Sequence, residues 1–432
     1  MHTRRSILFA AVFSLLIDTA YAQSWPPLPL AKPRSVGFSV ERLKEFDAAL
    51  QQTVERQQFA GVVIMMARHG KLVVQRAYGQ QSIDRKKEMQ QDTIFRICSM
   101  TKPITGTAMM ILYEEGKWKS SDPIAKYIPQ FADLKVYSGT GRRGKLKLEA
   151  PVHSPTMGEL MSHTAGFSNG FTGDAVDNLY KKSHIFQARS LDEFIAKLAK
   201  LPLAYQPGEA WRYSAAVDIQ GYLVQKLSGK PFATFVRQRI LMPLGMNDTD
   251  FFVPPAKVSR LATVYKPNPT QTGLVAVPYD VDVSEPPRIP SGGDGLYSTA
   301  GDYLRFAQML LNGGSLDGER VLSPSTVALM RSNHLPERLL TGKYGIDPHF
   351  MQPGLGFGYD FAVMEDPIRV GSTAGKGTYL WNGLAGTWFW IDPTNDLALV
   401  GMVQRLASEP GMPDIENLSR TLVYQALTEP RK

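Results

Sequence analysis

Sequence patterns typical of β-strands lie near both ends of this 432-residue chain, and they constrain its fold more than any other feature. Near the N-terminus, residues 61–68 and 71–78 are β-rich runs joined through His69-Gly70, which predicts a hairpin. Further strands are predicted near the C-terminus, at 378–383, 386–391 and 397–404. We interpret the two groups as parts of one antiparallel sheet.

Helical patterns flank both groups of strands and fill the middle of the chain. Residues 39–56 predict an amphipathic helix with Ser39 as its N-cap, and 415–427 predict a final helix. Residues 90 to 330 carry mostly helical patterns broken by long loops. We therefore expect a sheet region formed by 39–90 and 350–432, with an inserted, mostly helical region at 91–349.

The first 22 residues have the features of a cleavable secretory signal. Arg4 and Arg5 precede an apolar run at 7–17, and Ala20-Tyr21-Ala22 stands before Gln23. The run is too short to span a membrane, so we expect no stable anchor after cleavage. A Pro-rich leader at 23–38 would then begin a periplasmic or secreted protein, whose export route, general secretory or twin-arginine, stays open.

The charge, cysteine and histidine content limits which partners, disulfides and metals are expected. The formal net charge is +8, but the basic residues are scattered along the sequence, so no nucleic-acid partner is expected. Cys98 is the only cysteine, which excludes an internal disulfide, and we interpret it as a small buried neighbour of Ser99. The seven histidines show no metal-ligand spacing, so no metal is predicted.

The segment Ser99-Met100-Thr101-Lys102 places a potential nucleophile and a potential base three residues apart. Pro103 fits a helix only in its first turn, so the helix should begin close to Ser99 and continue through 104–112. Side chains three apart on a helix are neighbours, so Lys102 can supply the proton acceptor that a serine nucleophile needs. Ser-x-x-Lys alone is common by chance, and its weight depends on the clusters that accompany it.

Two later clusters strengthen this interpretation. Tyr213 lies in a loop just before a predicted helix at 218–227, where a nearby cation would let its phenolate act as a base. The alternative for Tyr213 is a buried core tyrosine. In Trp381-Asn382-Gly383-Leu384-Ala385-Gly386, glycine interrupts a predicted strand, which is typical of a close approach by a ligand or another backbone, or else of a hairpin with small residues.

In this order and at these separations, Ser-x-x-Lys, Tyr-Ser-x and Trp-x-Gly resemble the class C β-lactamase and penicillin-recognising serine hydrolases, most closely their family VIII carboxylesterase branch. The resemblance covers most of the mature chain and implies an α+β, β-lactamase/transpeptidase-like fold. Supporting segments are Met161 to Gly166, Pro243 to Met246 and Gly292 to Thr299.

The resemblance also implies roles for individual residues. Ser99 would attack the carbonyl and form an acyl-enzyme, while Lys102 and Tyr213 would share the acid and base work. The backbone N–H groups of Ser99 and Leu384 would form the oxyanion hole. No cofactor is expected, because acyl transfer to water needs only a nucleophile, a base and oxyanion stabilisation.

Departures from the family pattern bear on the substrate. Ala215 stands where the lactamases have an asparagine that grips an acylamino group, and Trp381-Asn382-Gly383 stands where many members have Lys-Thr-Gly. A missing cation weakens the binding of a substrate carboxylate, although Lys376 lies near enough in sequence to restore part of the charge. The chain is therefore expected to prefer small, neutral carboxylic esters, with the width of the pocket at Asn382 left open.

Three competing interpretations stay open at this point. Gly166-Phe167-Ser168-Asn169-Gly170 matches a Gly-x-Ser-x-Gly nucleophile elbow but follows a predicted helix at 156–162, and His163 nearby would be a structural histidine. A β-lactamase or D-amino-acid peptidase of the same superfamily would share every catalytic residue. A non-catalytic scaffold for the cell wall or a partner is the third. The oligomeric state, and whether loop-like stretches at 132–155 and 330–353 cover the pocket, are not determined.

Overall fold

A computed structural model describes residues 28–171, 173–268, 273–278, 282–340, 351–406 and 414–429. The predicted signal at 1–22 and the start of the Pro-rich leader lie outside the described residues. The rest of the leader packs on the sheet, since the Ala31 N–H donates to the Leu72 carbonyl and Phe38 is buried. Along the described stretches, no helix combines the length and apolar character needed to cross a membrane.

The strands follow in chain order, numbered over the described residues. They are β1 Gly61–Arg68, β2 Lys71–Ser82, β3 Lys87–Glu88, β4 Phe95–Arg96, β5 Val136–Thr140, β6 Leu146–Glu149, β7 Tyr265–Pro267, β8 Leu274–Ala276, β9 Tyr297–Ser298, β10 Ser315–Leu316, β11 Glu319–Arg320, β12 Leu355–Phe357, β13 Ala362–Met364, β14 Tyr379–Asn382, β15 Trp388–Asp392 and β16 Leu397–Met402.

The helices are numbered in the same way. They are α1 Val40–Glu55, α2 Thr101–Glu114, α3 Met157–Met161, α4 Ala175–Ser183, α5 Leu191–Leu198, α6 Ala216–Ser228, α7 Phe232–Val236, α8 Ala300–Leu311, α9 Pro324–Met330, α10 Glu337–Leu340, α11 Pro367–Val370 and α12 Ile415–Ala426. Ser39 caps α1 by accepting from the Arg42 N–H, as the sequence predicts.

Eight of these strands form one antiparallel sheet, in the order β12-β13-β14-β15-β16-β1-β2-β3. The two ends of the chain meet where β16 pairs with β1, for example at Met66 opposite Leu399. The predicted α+β fold, with a sheet built from both chain ends, is therefore confirmed. The predicted strands at 378–383 and 386–391 are shorter, because residues 383–387 close a turn in which the Gly383 N–H donates to the Thr387 carbonyl.

Helices cover both faces of the sheet, which explains why every residue of β1, β15 and β16 is buried. Successive residues of a strand point to opposite faces. Phe389 of β15 contacts the Tyr303 ring of α8, with ring centres 5.2 Å apart, whereas Arg420 of α12 lies 5.6 Å from the ring centre of Trp390. The helices α8 and α12 therefore lie on opposite faces.

Two elements in the middle of the chain differ from expectation. Helix α8 belongs by sequence to the proposed inserted region at 91–349, yet it packs against β1, β15 and β16. The stretch 132–155, expected to be loop-like, contains a hairpin of β5 and β6. Residues 341–350 of the second loop-like stretch lie outside the described residues, and α10 ends just before them.

The helical region meets the sheet at the end of β14. Helix α2 packs against α6 and α7, and the 3-10 turn Cys98–Met100 that precedes α2 packs against β14. The predicted helices at 104–112 and 218–227 lie within α2 and α6. This junction brings Ser99 together with residues from both parts of the molecule.

Candidate active site

Ser99 and Lys102 are positioned by the turn that leads into α2. The Thr101 hydroxyl donates to the Cys98 carbonyl at 2.7 Å and accepts from the Leu296 N–H at 3.0 Å, which ties this turn to β9 and its approach. Lys102 Nζ lies 3.0 Å from Ser99 Oγ and donates to it. Ser99 is half-buried, so its hydroxyl is held by neighbours while a substrate can still approach.

Tyr213 approaches the same hydroxyl from a different element. Its phenol oxygen lies 2.6 Å from Ser99 Oγ, although the two residues are 114 positions apart. Lys102 Nζ lies 4.6 Å from the centre of the Tyr213 ring. The three predicted catalytic residues thus form one cluster, and both partners of Ser99 are within reach of its proton.

The charge on Lys102 decides which partner accepts that proton. Burial lowers the pKa of the Lys102 amine, but the attraction of Tyr213, Asp294 and Asp218 outweighs burial and leaves this pKa above its ordinary value. Lys102 is therefore an ammonium at neutral pH and has no lone pair to accept the Ser99 proton. That leaves the Tyr213 oxygen as the neighbour that can accept this proton, with Lys102 as the source of positive charge.

A turn around Gly293 holds the ammonium in place. Lys102 Nζ donates to the Gly293 carbonyl at 2.6 Å. Asp218 fixes the turn from behind, since its carboxylate accepts from the Ser291 hydroxyl at 2.6 Å and from the Gly293 N–H at 3.3 Å. A Cβ at residue 293 would lie 2.9 Å from Asp218 Oδ2 and 3.4 Å from Lys102 Nζ, so only glycine lets the two side chains come this close.

The segment 381–387 is fastened beside the nucleophile. A Cβ at Gly383 would lie 2.3 Å from the Ile97 carbonyl, and the Thr387 hydroxyl donates to that same carbonyl at 3.1 Å. Because Ile97 is two residues before Ser99, the turn at the end of β14 and the nucleophile move as one unit. Both interpretations open for this glycine hold: a backbone approaches it closely, and it lies in the turn of the hairpin that joins β14 to β15.

The side chains of this segment point in different directions. Trp381 is buried, and its ring centre lies 5.7 Å from that of Tyr213. Asn382 points towards α12, where its amide donates to Glu416 at 3.3 Å. The Leu384 side chain is 69% exposed, which leaves only its backbone to serve the chemistry. The oxyanion role of the Ser99 and Leu384 N–H groups stays a prediction.

The alternative nucleophiles have other surroundings. Ser168 is fully buried, donates to Asp177 and accepts from Arg212 Nε at 3.0 Å, so its hydroxyl serves a buried ion pair. Cys98 is also buried, and burial raises the pKa of its thiol to about 12, which keeps the thiol protonated. His163 is buried next to Tyr213 and accompanies neither serine directly.

Sequence reasoning gave no catalytic part to four residues that lie at this site. Asp218 and Gly293 hold Lys102, while Trp211 and His163 stack against the Tyr213 ring with ring centres 6.3 and 5.5 Å away. Trp211 lies two residues before Tyr213, and both His163 and Gly293 lie within segments that resemble the family. No such signal links Asp218 to the site, because its contact with Gly293 is made through long-range packing.

Comparisons with known proteins agree with this geometry. A model of the beta-lactamase family matches residues 46–421. Protein Rv1367c of Mycobacterium tuberculosis is 35% identical, over 83% of this chain and 88% of its own length. Esterase EstB of Burkholderia gladioli is 30% identical, over 82% of this chain and 88% of its own length.

The solved structure of EstCE1, described as a hydrolase with promiscuous acyltransferase activity, matches with a TM-score of 0.72 at 25% identity. The match covers 89% of this chain and 98% of EstCE1. The family model includes Ser99, Lys102, Tyr213 and the 381–387 segment within its matched range. The resemblance inferred from the three motifs is confirmed, and the chain belongs to the beta-lactamase family of serine hydrolases.

Proposed function

We propose that this protein is an exported esterase that cleaves small, neutral carboxylic esters through an acyl-enzyme on Ser99. The observation that carries the proposal is the convergence of Tyr213 and Lys102 on Ser99 Oγ, at 2.6 and 3.0 Å. A serine with an adjacent base and an adjacent cation is an activated nucleophile. Similarity to esterase EstB supports the choice of esters as substrates.

Acylation begins from Tyr213 in its phenolate form, stabilised by the ammonium of Lys102. Ser99 Oγ bonds to the acyl carbon while its proton passes to the phenolate oxygen. The carbonyl oxygen takes the electron pair, and the N–H groups of Ser99 and Leu384 stabilise it. When the carbonyl re-forms, the bond to the alcohol oxygen breaks and the alcohol leaves with the proton from Tyr213. Water then attacks the acyl carbon, gives its proton to Tyr213, and releases the acid as Ser99 regains a proton.

The surroundings of Ser99 favour an uncharged substrate. Trp381 presents an aromatic ring where a cation would bind a substrate carboxylate, and Ala215 provides no amide for an acylamino group. The amide of Asn382 is engaged with Glu416. An anionic β-lactam or peptide would therefore gain less binding energy here than a neutral ester.

The test compares p-nitrophenyl acetate and butyrate with a chromogenic cephalosporin, using wild type, Ser99→Ala and Ser168→Ala. We expect rapid ester cleavage and little cephalosporin turnover by wild type. Ser99→Ala should lose at least about 10⁴-fold in kcat for the ester. Ser168→Ala should keep its rate per folded molecule, with folding checked by circular dichroism.

Each other outcome identifies a different function. Ester cleavage by Ser99→Ala at the wild-type rate would contradict the mechanism. Loss of ester cleavage in Ser168→Ala alone would favour the Gly-x-Ser-x-Gly segment as the nucleophile elbow. Faster cephalosporin or D-alanyl peptide cleavage would favour the lactamase or peptidase alternative. No acylation by any of these probes would favour the scaffold.

The proposed export has a separate test. Mass spectrometry of the N-terminal peptide from a cell fraction should place the mature start at Gln23, because Ala20-Tyr21-Ala22 is a small-residue cleavage site. Replacing Arg4 and Arg5 by lysine should block a twin-arginine route and leave general secretion intact. Recovery of the uncleaved chain inside the cell would contradict the proposal.

A further inference from the structure

A buried histidine lies against the ring of the proposed base. The His163 and Tyr213 rings are nearly parallel, with an angle of 24° and centres 5.5 Å apart. Phe357 and Trp211 enclose the imidazole on its other sides, at 5.5 and 6.0 Å between centres. Displacing the imidazole would therefore displace the phenol that contacts Ser99.

The polar atoms of His163 are held in a particular way. Its Nδ1 lies 3.1 Å from the Ser214 hydroxyl, next in sequence to Tyr213. Its Nε2 lies 3.9 Å from Asp360 Oδ1, too far for a direct hydrogen bond. Burial, followed by repulsion from Lys102, lowers the pKa of His163 to about 3, so the imidazole is neutral at neutral pH.

Asp360 lies behind His163, where burial favours the uncharged form of its carboxyl. The carboxyl is fully buried, its Oδ1 accepts from Gln220 Nε2 at 3.0 Å, and its Oδ2 faces Gly106 of α2. Burial raises the pKa of Asp360 well above its ordinary value, although Gln220 and Lys102 act in the opposite direction. The carboxyl thus links α2, α6 and His163 without adding charge.

Backbone geometry at these two positions supports a functional demand. His163 has φ of 57° and Asp360 has φ of 69°, in the left-handed region that residues other than glycine seldom adopt. Each is fixed by a backbone contact, the Arg212 N–H donating to the His163 carbonyl and the Asp360 N–H to the Met161 carbonyl. Strained backbone of this kind persists where the surrounding structure requires it, often at functional sites.

We propose that His163 is a positioning residue that fixes the ring of Tyr213 by packing against it, and that Asp360 supports His163 from behind. The inference rests on the proposed function, because positioning matters only if Tyr213 transfers the Ser99 proton. Lys102 on α2, Tyr213 on its loop and Asp360 on the turn before β13 are the titratable groups that face His163.

A neutral imidazole at His163 has a chemical advantage. Lys102 already places one positive charge 4.6 Å from the phenol ring. A second cation, on His163, would stabilise the phenolate further and make it a weaker base towards Ser99. It would also repel the ammonium of Lys102. An uncharged ring fixes the phenol without either effect.

The test uses His163→Asn, His163→Phe and Asp360→Asn. Asparagine tolerates the left-handed backbone but removes the ring, so we expect kcat to fall about 100-fold with KM changed less than about threefold. Phenylalanine restores the ring but is strained in the left-handed backbone and lacks the nitrogen that bonds Ser214, so its kcat should lie between the values for His163→Asn and wild type. Asp360→Asn mimics the uncharged carboxyl and should keep kcat, KM and the pH profile of wild type.

His334→Phe is the matched control, because His334 stacks on Tyr359 at 3.9 Å between ring centres while Tyr359 bonds Ser120 and not Ser99. It should leave kcat unchanged. A melting curve for every variant separates loss of folding from loss of rate. The inference would be overturned if His163→Asn kept the kcat of wild type. It would also be overturned if Asp360→Asn lost much of kcat and shifted the acidic limb of the pH profile.

A fluorophosphonate that labels Ser99 directly keeps the two proposals distinct. Slow labelling of His163→Asn with normal labelling of the control supports the positioning role, whatever the natural substrate. Normal labelling of wild type without any ester turnover would count against the proposed function and leave the positioning result standing. Equal labelling of wild type and His163→Asn would reject the positioning role alone.

Discussion

Ser99 and Ser168 each lie near a cation, and their surroundings differ in a way that favours Ser99 as the nucleophile. Ser99 is half-buried and has an amine and a phenol oxygen as neighbours, and both can gain or lose a proton. Ser168 is fully buried against a guanidinium and a carboxylate that already pair with each other at 2.7 Å. Reactivity thus follows from neighbours that can change protonation, and a matching motif is not sufficient.

The largest expected effect comes from replacing Lys102, the cation next to Ser99. Lys102→Met should lower kcat for p-nitrophenyl butyrate by about 10⁴-fold, because it removes the charge that stabilises the phenolate. Lys126→Met removes a surface ion pair with Asp122 and a contact with the Tyr127 ring, and as the control it should keep its rate. If the kcat of Lys102→Met lay within tenfold of the wild-type value, the proposed distinction between the two serines would be wrong.

Arg212, the cation next to Ser168, should contribute to the stability of the fold, whereas Lys102 contributes to the reaction. Arg212→Met removes the cation that pairs with the buried carboxylate of Asp177 and leaves it only its hydrogen bonds, so we expect the free energy of unfolding to fall by about 3 to 5 kcal/mol. Urea denaturation measures this change. Arg189→Met, at an exposed pair with Glu193, should cost less than about 1 kcal/mol. Equal losses in the two variants would refute a structural role for the Ser168 cluster.

Removing one hydroxyl sharpens the comparison further. Tyr213→Phe keeps the ring packed against His163 and Trp381 but removes the proton acceptor, and kcat should fall about 100-fold. Tyr180→Phe removes a buried hydroxyl that bonds the Pro202 carbonyl near the Ser168 cluster, and it should leave kcat unchanged. Steady-state kinetics on both variants decides the point.

The last expected effect is a dependence of stability on pH. The pKa of His163 is about 3 in the folded chain against an ordinary 6.5, so the unfolded chain binds more protons between these values. The contribution is complete above pH 6.5 and is lost as the pH falls towards 3, by about 1.4 kcal/mol per pH unit. Urea denaturation at several pH values should show a shallower loss for His163→Phe than for wild type. Parallel curves would contradict a neutral His163.

Much of the fold was predictable because its signals are local. The hairpin at His69-Gly70 and the N-cap at Ser39 are set by neighbouring residues, and both lie where the sequence predicts them. The hairpin of β5 and β6 was missed, because its turn lacks a two-residue signal. Packing of α8 on the sheet was missed because an apolar stripe does not identify the surface that it covers.

The candidate site also has parts that local sequence predicts and parts that it does not. Ser99 and Lys102 share one helical turn, so their contact follows from spacing. Tyr213 was predicted from a motif and a family resemblance, since nothing local places it beside Ser99. The parts played by Asp360 and Gly293 depend on contacts between distant segments, and a single sequence carries no record of those contacts.

The pairing of β1 with β16 has a consequence for how the chain acquires its structure. Residues 63 and 402 lie opposite each other in the register, so nearly the whole polypeptide must leave the ribosome before this seam can close. Until then, β1, which is apolar except for Arg68 at its end, has one unsatisfied edge, and such an edge favours association with other chains. Biogenesis should therefore be slow and concentration-dependent, and shortening the C-terminus should harm yield more than shortening the N-terminal leader.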